Sequence, residues 1–271
     1  MSRIFKSYTP CIKTPNGIAS LEYLDLGGFR QLTLIRGRDA SNPILLYLHG
    51  GPGTAAIPLS HAMRDLESDF TLVFWDQRGA GKSCDPRMKR KDYSIDRYVS
   101  DARELIEILL SRLDQRKVYL IGHSWGSIIG SLVAREYPEL LHAYIGIGQF
   151  VNGRENEEVS YRYVLGRARA EGDRSALREL EAISPPYLRA NGELDFGSFM
   201  AERAWLGHFG GIARERVDDP SGMDTSLFFK GTEYSLAELL RIRGRSKLSI
   251  EYLWSEMMAF DAEAQIPMIE A

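Results

Sequence analysis

The sequence predicts an α/β fold: a mostly parallel sheet with helices on both faces, followed by a helical insertion. Three observations carry this. The runs ILLYL and TLVFW are almost wholly apolar, as strands buried on both faces are. Residues 94–113 repeat their apolar side chains with the period of a helix. Strand and helix alternate up to residue 147, and no convincing buried strand follows it.

In chain order, ASLEYLDL and FRQLTLIRG in 19–37 read as two strands of a hairpin around Gly27-Gly28. Pro43 opens the strand ILLYLH, which runs into a Gly-rich loop and a short helical segment at 58–68. TLVFW at 71–75 is the next buried strand. In 94–113, Ile95, Tyr98, Val99, Ala102, Leu105, Ile106 and Leu109 share one helix face. Ser94 is the expected N-cap, and Asp96 favours the first turn. Strand 117–121, helix 125–137 and strand 143–147 follow. Residues 154–182 are charged and helical until Ser184-Pro185-Pro186 breaks them, and further helices are expected at 197–207, 235–243 and 246–260. The expected division is a core over 1–149, a helical cap over 150–262 and the start of a return to the core over 263–271.

Bulk properties narrow the function. A chain of 271 residues suits one α/β domain with an insertion, and a net charge of −3 gives no footing for nucleic acid or a membrane. The basic run Arg87 to Lys91 is short and ends in Asp92, as a solvated loop does. Cys11 and Cys84 lie far apart without metal-ligand spacing, which fits a reducing compartment. The N-terminus MSRIFKSYTP has no apolar signal region. A cytoplasmic protein without metal or cofactor is expected.

The chemistry concentrates in three stretches. Gly122-His123-Ser124-Trp125-Gly126 fits the Gly-x-Ser-x-Gly nucleophile elbow, in which a tight strand-to-helix turn exposes the serine. A Cβ at either glycine would strike the neighbouring strand or helix. Ser124 is therefore the expected nucleophile, with unusual dihedrals and a hydroxyl facing a cleft under the insertion. His49-Gly50-Gly51-Pro52-Gly53 leaves the ILLYL strand directly. Such a loop can offer a backbone N–H to a developing oxyanion, with Gly51 as first donor and Trp125 as second. The third stretch, Asp76-Gln77-Arg78-Gly79-Ala80-Gly81-Lys82-Ser83, suggests a phosphate loop through Gly-Lys-Ser. That loop needs glycine where Asp76 stands. It reads better as a structured loop in which Asp76 and Arg78 bond backbone or each other.

HGGPG, DQRGAGKS and GHSWGS, in this order and spacing, resemble the prolyl iminopeptidase family of α/β-hydrolases. The resemblance is strong over 15–150 and looser through the insertion, which is similar to that family's cap. It implies a serine hydrolase acting on small peptides or amides with a free amino terminus. Ser124 would be the nucleophile, and Gly51 and Trp125 the oxyanion donors. The family holds the substrate amino group with acidic cap residues, often around a Trp-Glu pair. No Trp-Glu dipeptide occurs here. Glu202 near Trp205 and Glu256 near Trp254 are the loose equivalents.

A serine needs a base, and a carboxylate to orient that base. In α/β-hydrolases both follow the serine, the acid before the histidine. His49, His61, His123 and His142 precede the serine or lie in structural settings, and His208 sits in the insertion. The stretch from Phe260 to Ala271 resembles the family's exit from the cap, before the strands that carry the acid and histidine. The expectation is therefore that about two βα units are missing, that this chain lacks its base and is a poor catalyst, and that the unpaired sheet edge promotes self-association. A non-catalytic small-molecule binding protein and a general esterase or amidase are the alternatives.

Overall fold

The structure, a computed structural model, describes residues 7–211, 225–242, 246–264 and 269. Seven α-helices are described: α1 (Ile95–Leu113), α2 (Trp125–Glu136), α3 (Gly153–Glu171), α4 (Arg174–Leu180), α5 (Phe196–His208), α6 (Leu236–Ile242) and α7 (Ser246–Ala259). The six described strands are β1 (Ile18–Leu26), β2 (Phe29–Gly37), β3 (Ile44–Leu48), β4 (Thr71–Trp75), β5 (Val118–His123) and β6 (Leu141–Ile147). They form one sheet in the order β1-β2-β4-β3-β5-β6. The pairs β4–β3, β3–β5 and β5–β6 are parallel, and the β1–β2 hairpin joins antiparallel through β2–β4. The expected mostly parallel sheet is present.

The chain divides into two compact units. Of the described residues, the first holds those within 1–150, 227–253 and 262–271, and the second those within 151–226 and 254–261. Residues 227–253, expected within the cap, thus group with the sheet. The expected return over 263–271 lies outside the described residues, apart from 263, 264 and 269.

In the first unit the two apolar strand runs are buried as their composition demands: Ile44, Leu46, Leu48, Val73 and Trp75 are fully inaccessible. Leu45, Leu72, Phe74 and Ile121 share a second cluster with Ile57, Tyr234 and Leu239. Helix α1 buries all seven residues of its predicted stripe. Each large apolar side chain so buried contributes roughly 1.5–3 kcal/mol. The Ser94 hydroxyl caps α1 by accepting from the Arg97 N–H at 3.3 Å. Strand β6 is the outermost strand on its side among the described residues, and its Ile145 and Ile147 are 44% and 45% exposed.

The expected helical run over 154–182 is two helices. Gly172 ends α3 in the left-handed region at φ 67°, and the Asp173 carboxylate caps α4 by accepting from the N–H groups of Ser175 and Ala176. The second unit packs Val164, Ala168, Ala176, Leu180 and Phe209 into its own core.

Candidate active site

Strands β3 and β5 are parallel neighbours, so the loops leaving their carboxyl ends start side by side. Ser124 follows β5 and begins α2 with φ 52° and ψ −119°, a conformation that side chains rarely adopt. Such strain persists only where its surroundings enforce it. Here they do. A Cβ on Gly126 would lie 2.2 Å from the Leu48 carbonyl oxygen, and one on Gly122 would lie 2.6 Å from the Gly126 oxygen. The Ser124 N–H donates to the Ile147 carbonyl at 2.9 Å, fixing the turn to β6. Ser124 is half-buried.

The HGGPG loop passes directly beside the serine: a Cβ on Gly50 would stand 3.1 Å from the Ser124 Cβ. Gly51 follows at φ 122°, and a Cβ there would meet the Gly53 nitrogen at 2.8 Å. The structure therefore brings Ser124, Trp125 and the Gly50–Gly51 segment to one place.

Below them lies a fully buried polar network that the sequence motifs do not announce. The Gln77 backbone N–H donates to His49 Nε2 at 3.1 Å, and His49 Nδ1 faces the Gly50 carbonyl at 2.8 Å. His49 is thus a neutral Nδ1–H tautomer, and burial holds its pKa down at about 4. The Gln77 side chain donates from Nε2 to the His49 carbonyl at 3.1 Å and accepts from Trp125 Nε1–H at 2.9 Å.

The Asp76–Ser83 loop is structural, as expected, and of the two expected arrangements it is the backbone one that occurs: Asp76 accepts from the Lys82 N–H at 3.2 Å, and Arg78 donates to the Asp92 carbonyl at 3.1 Å. Asp76 and Arg78 do not pair. Tyr234 donates its hydroxyl to the same Asp76 carboxylate. Burial nevertheless raises the Asp76 pKa to about 7. Arg78 pairs instead with Asp101. Lys82 pairs with Glu238 at 2.9 Å, and the Ser83 hydroxyl accepts from the Leu32 N–H.

The five histidines are all accounted for. His49 is locked as described. His61 Nδ1 faces the Pro58 carbonyl at 3.1 Å. His123 stacks on Tyr47, and burial lowers its pKa. His142 lies in β6, stacked on Tyr119. His208 ends α5 against Trp205 and Phe209. Among the described residues, no histidine hydrogen-bonds Ser124 or a carboxylate.

Glu202 and Glu256 belong to the second unit. Glu202 is fully buried on α5, accepting from the Ser160 hydroxyl at 2.5 Å and paired with Arg203. Arg203 also grips Glu157 through both carboxylate oxygens at 2.6 Å, so two buried carboxylates share one guanidinium. Burial opposes the Arg203 charge, but the two carboxylates outweigh it and raise its pKa. Among the described residues the buried Tyr187 hydroxyl has no hydrogen-bond partner, and burial with the Glu202 and Glu157 charges raises its pKa. Glu256 is half-buried on α7. Glu157 lies on α3, in a stretch that carries no sequence motif.

Residues 43–170 match the sequence profile of the alpha/beta hydrolase fold. A probable aminopeptidase of Bacillus subtilis is 31% identical over 96% of this chain and 80% of its own length. The chain belongs to the α/β-hydrolases. Within them this hydrolase is prolyl iminopeptidase-like. A proline iminopeptidase of Saccharolobus solfataricus is 35% identical over 109 residues, 39% of this chain and 33% of that one. The crystal structure of a Mycobacterium smegmatis proline iminopeptidase shares the fold, with a TM-score of 0.60 at 17% identity over 93% of this chain and 79% of that chain. Among the described residues, no helix of the hydrolase is long and apolar enough to cross a membrane.

Proposed function

We propose that this hydrolase is of the aminopeptidase type and that it cleaves small amides or peptides with a free amino terminus through an acyl-enzyme at Ser124. The strained Ser124 turn, held against Gly50 by two obligatory glycines, is the observation that carries this reading. The serine oxygen attacks the scissile carbonyl as its proton passes to water, and the carbonyl oxygen becomes an oxyanion received by the Gly51 and Trp125 N–H groups. Collapse breaks the C–N bond, the amine leaves with a proton taken from water, and a second water then hydrolyses the acyl ester to release the acid and restore the serine. The names of the B. subtilis and S. solfataricus relatives support the aminopeptidase reading.

For the amino group we propose the buried pair Glu157 and Glu202. Their two charges meet a single guanidinium, leaving an excess negative charge suited to an ammonium group. Glu256, half-buried, is the weaker candidate.

None of the five histidines is placed as the base. We therefore propose that the 271-residue chain turns over slowly, with the catalysis left to a site that has donors but no triad base, about 10³–10⁴-fold over water. The test is an activated aminoacyl ester, free or blocked at its amino group, assayed beside Ser124→Ala. Hydrolysis unchanged by Ser124→Ala overturns the nucleophile. Equal rates for free and blocked substrates overturn the aminopeptidase assignment and favour a general esterase or amidase. Binding of the substrate without covalent capture of Ser124 favours a binding protein.

A further inference from the structure

Gln77 occupies a position that neither the elbow nor the glycine loop explains. It is fully buried at the end of β4, beside the strand that feeds the HGGPG loop. One planar side-chain amide spans two separate loops. Its nitrogen holds the His49 carbonyl at 3.1 Å, the peptide that leads into Gly50 and Gly51. Its oxygen holds the Trp125 indole N–H at 2.9 Å, on the residue that follows Ser124. Its own backbone N–H engages the His49 ring, so His49 is gripped at both its carbonyl and its ring.

We propose that Gln77 is a positioning residue for the oxyanion site, setting the separation between the N–H donor of the HGGPG loop and that of Trp125. The inference rests on the reading of Ser124 as nucleophile. An amide suits the task because donor and acceptor lie on a rigid plane, and a buried amide without partners is costly. The bonds hold only when both loops stand at one spacing, so the two backbone donors arrive at the developing charge already placed. A donor pair of this kind contributes through its preorganisation, and small misplacements cost rate rather than affinity.

The experiment uses the full chain and a fluorophosphonate probe, whose phosphorus bonds to the serine oxygen as fluoride leaves and the serine proton passes to water, its phosphoryl oxygen taking up negative charge on the way. Capture at Ser124 is followed by intact mass, and the maximal rate of capture is separated from the probe's half-saturating concentration. Gln77→Met keeps the volume and removes both amide arms. Trp125→Phe removes only the indole donor and leaves the backbone N–H. The expected result for Gln77→Met is a maximal rate lowered about tenfold or more with half-saturation unchanged, in a chain that stays folded at the assay temperature although its unfolding midpoint falls. Trp125→Phe should fall less, and the double variant should be no slower than Gln77→Met, because both changes break the same bridge. Should Gln77→Met fail to fold, Trp125→Phe alone decides: a rate equal to that of the unsubstituted chain overturns the proposal. Capture of the unsubstituted chain with no loss of rate in a folded Gln77→Met also overturns it. Capture of the unsubstituted chain no faster than that of Ser124→Ala, over incubations long enough for a serine without a base, removes the nucleophile reading and this inference with it.

Discussion

Arg78 and Asp101 form a two-point ion pair, Nη2 to Oδ1 at 2.7 Å and Nε to Oδ2 at 2.9 Å, with both side chains about 1% exposed. The same Asp101 oxygen accepts from Gln31 Nε2 at 2.7 Å, and the Gln31 oxygen accepts from the Trp75 indole. The pair thus joins the Asp76–Ser83 loop, the β1–β2 hairpin and α1. Removing one member of a buried pair leaves an uncompensated charge. We expect Asp101→Ala to lower stability by about 3–5 kcal/mol, read by urea denaturation. A change below about 1 kcal/mol, the range of exposed pairs, would contradict this.

Gly126→Ala is expected to abolish covalent capture of Ser124. The added Cβ would stand 2.2 Å from a strand carbonyl, and backbone atoms cannot yield as a flexible side chain does. Gly166→Ala, at a helical position where a Cβ meets nothing, is the control and should label as the parent does. Equal capture by both variants would show that the elbow tolerates a side chain there.

Two buried groups shape the pH dependence of stability in opposite directions. The folded Asp76 pKa is raised to about 7, so the folded state holds its proton longer than the unfolded chain does, and stability is lost as pH rises from about 4 to about 7. The folded His49 pKa is lowered to about 4, so the unfolded chain takes the proton first, and stability is lost as pH falls from about 6.5 to about 4. Each slope reaches about 1.4 kcal/mol per pH unit, and between pH 4 and 6.5 they oppose one another. The stability of the parent minus that of Asp76→Asn, measured by urea titration at several pH values, should therefore decline with rising pH across that window and flatten above about 7. A difference independent of pH would refute the raised Asp76 pKa.

The two exposed isoleucines of β6 lie along a strand with no partner on its outer side among the described residues. An edge of this kind accepts another strand through its free backbone groups. We expect the 271-residue chain to associate with a second copy of itself through β6, with Ile145→Lys shifting the population toward monomer in sedimentation. A monomer at all concentrations would contradict the expectation.

In the second unit, Arg203→Met leaves Glu157 and Glu202 buried without their shared cation. We expect a stability loss of about 3–5 kcal/mol. Glu157→Gln should lower the preference for free-amine over blocked substrates while leaving the rate of Ser124 capture by a neutral probe unchanged. An unaltered preference would remove Glu157 from the proposed amino-group site.

What the sequence discloses is what local sterics encode. Gly122 and Gly126 were legible because a fixed spacing of glycines around a serine, after a strand and before a helix, leaves few other geometries. Ser94 was legible as a cap, and the stripe of α1 as a buried face. The break at Gly172-Asp173 was also written in the chain, as a left-handed stop followed by a capping carboxylate, but a continuous charged run obscured it. Other features lie beyond local pattern. Asp76 meets Tyr234 across 158 positions and Arg203 meets Glu157 across 46. Gln77 reaches both His49 and Trp125, and only the strand order makes them neighbours.

That strand order also fixes a length. The two backbone donors proposed for the oxyanion leave the ends of β3 and β5, which are hydrogen-bonded to each other with Leu48 opposite Gly122. Adjacent strands stand about 4.8 Å apart whatever their side chains. The strand repeat thus sets the coarse gauge of the proposed anion site, and the Gln77 amide holds the two loops to it. Substrate preference can drift through changes in other loops while the spacing at which charge is received stays constant.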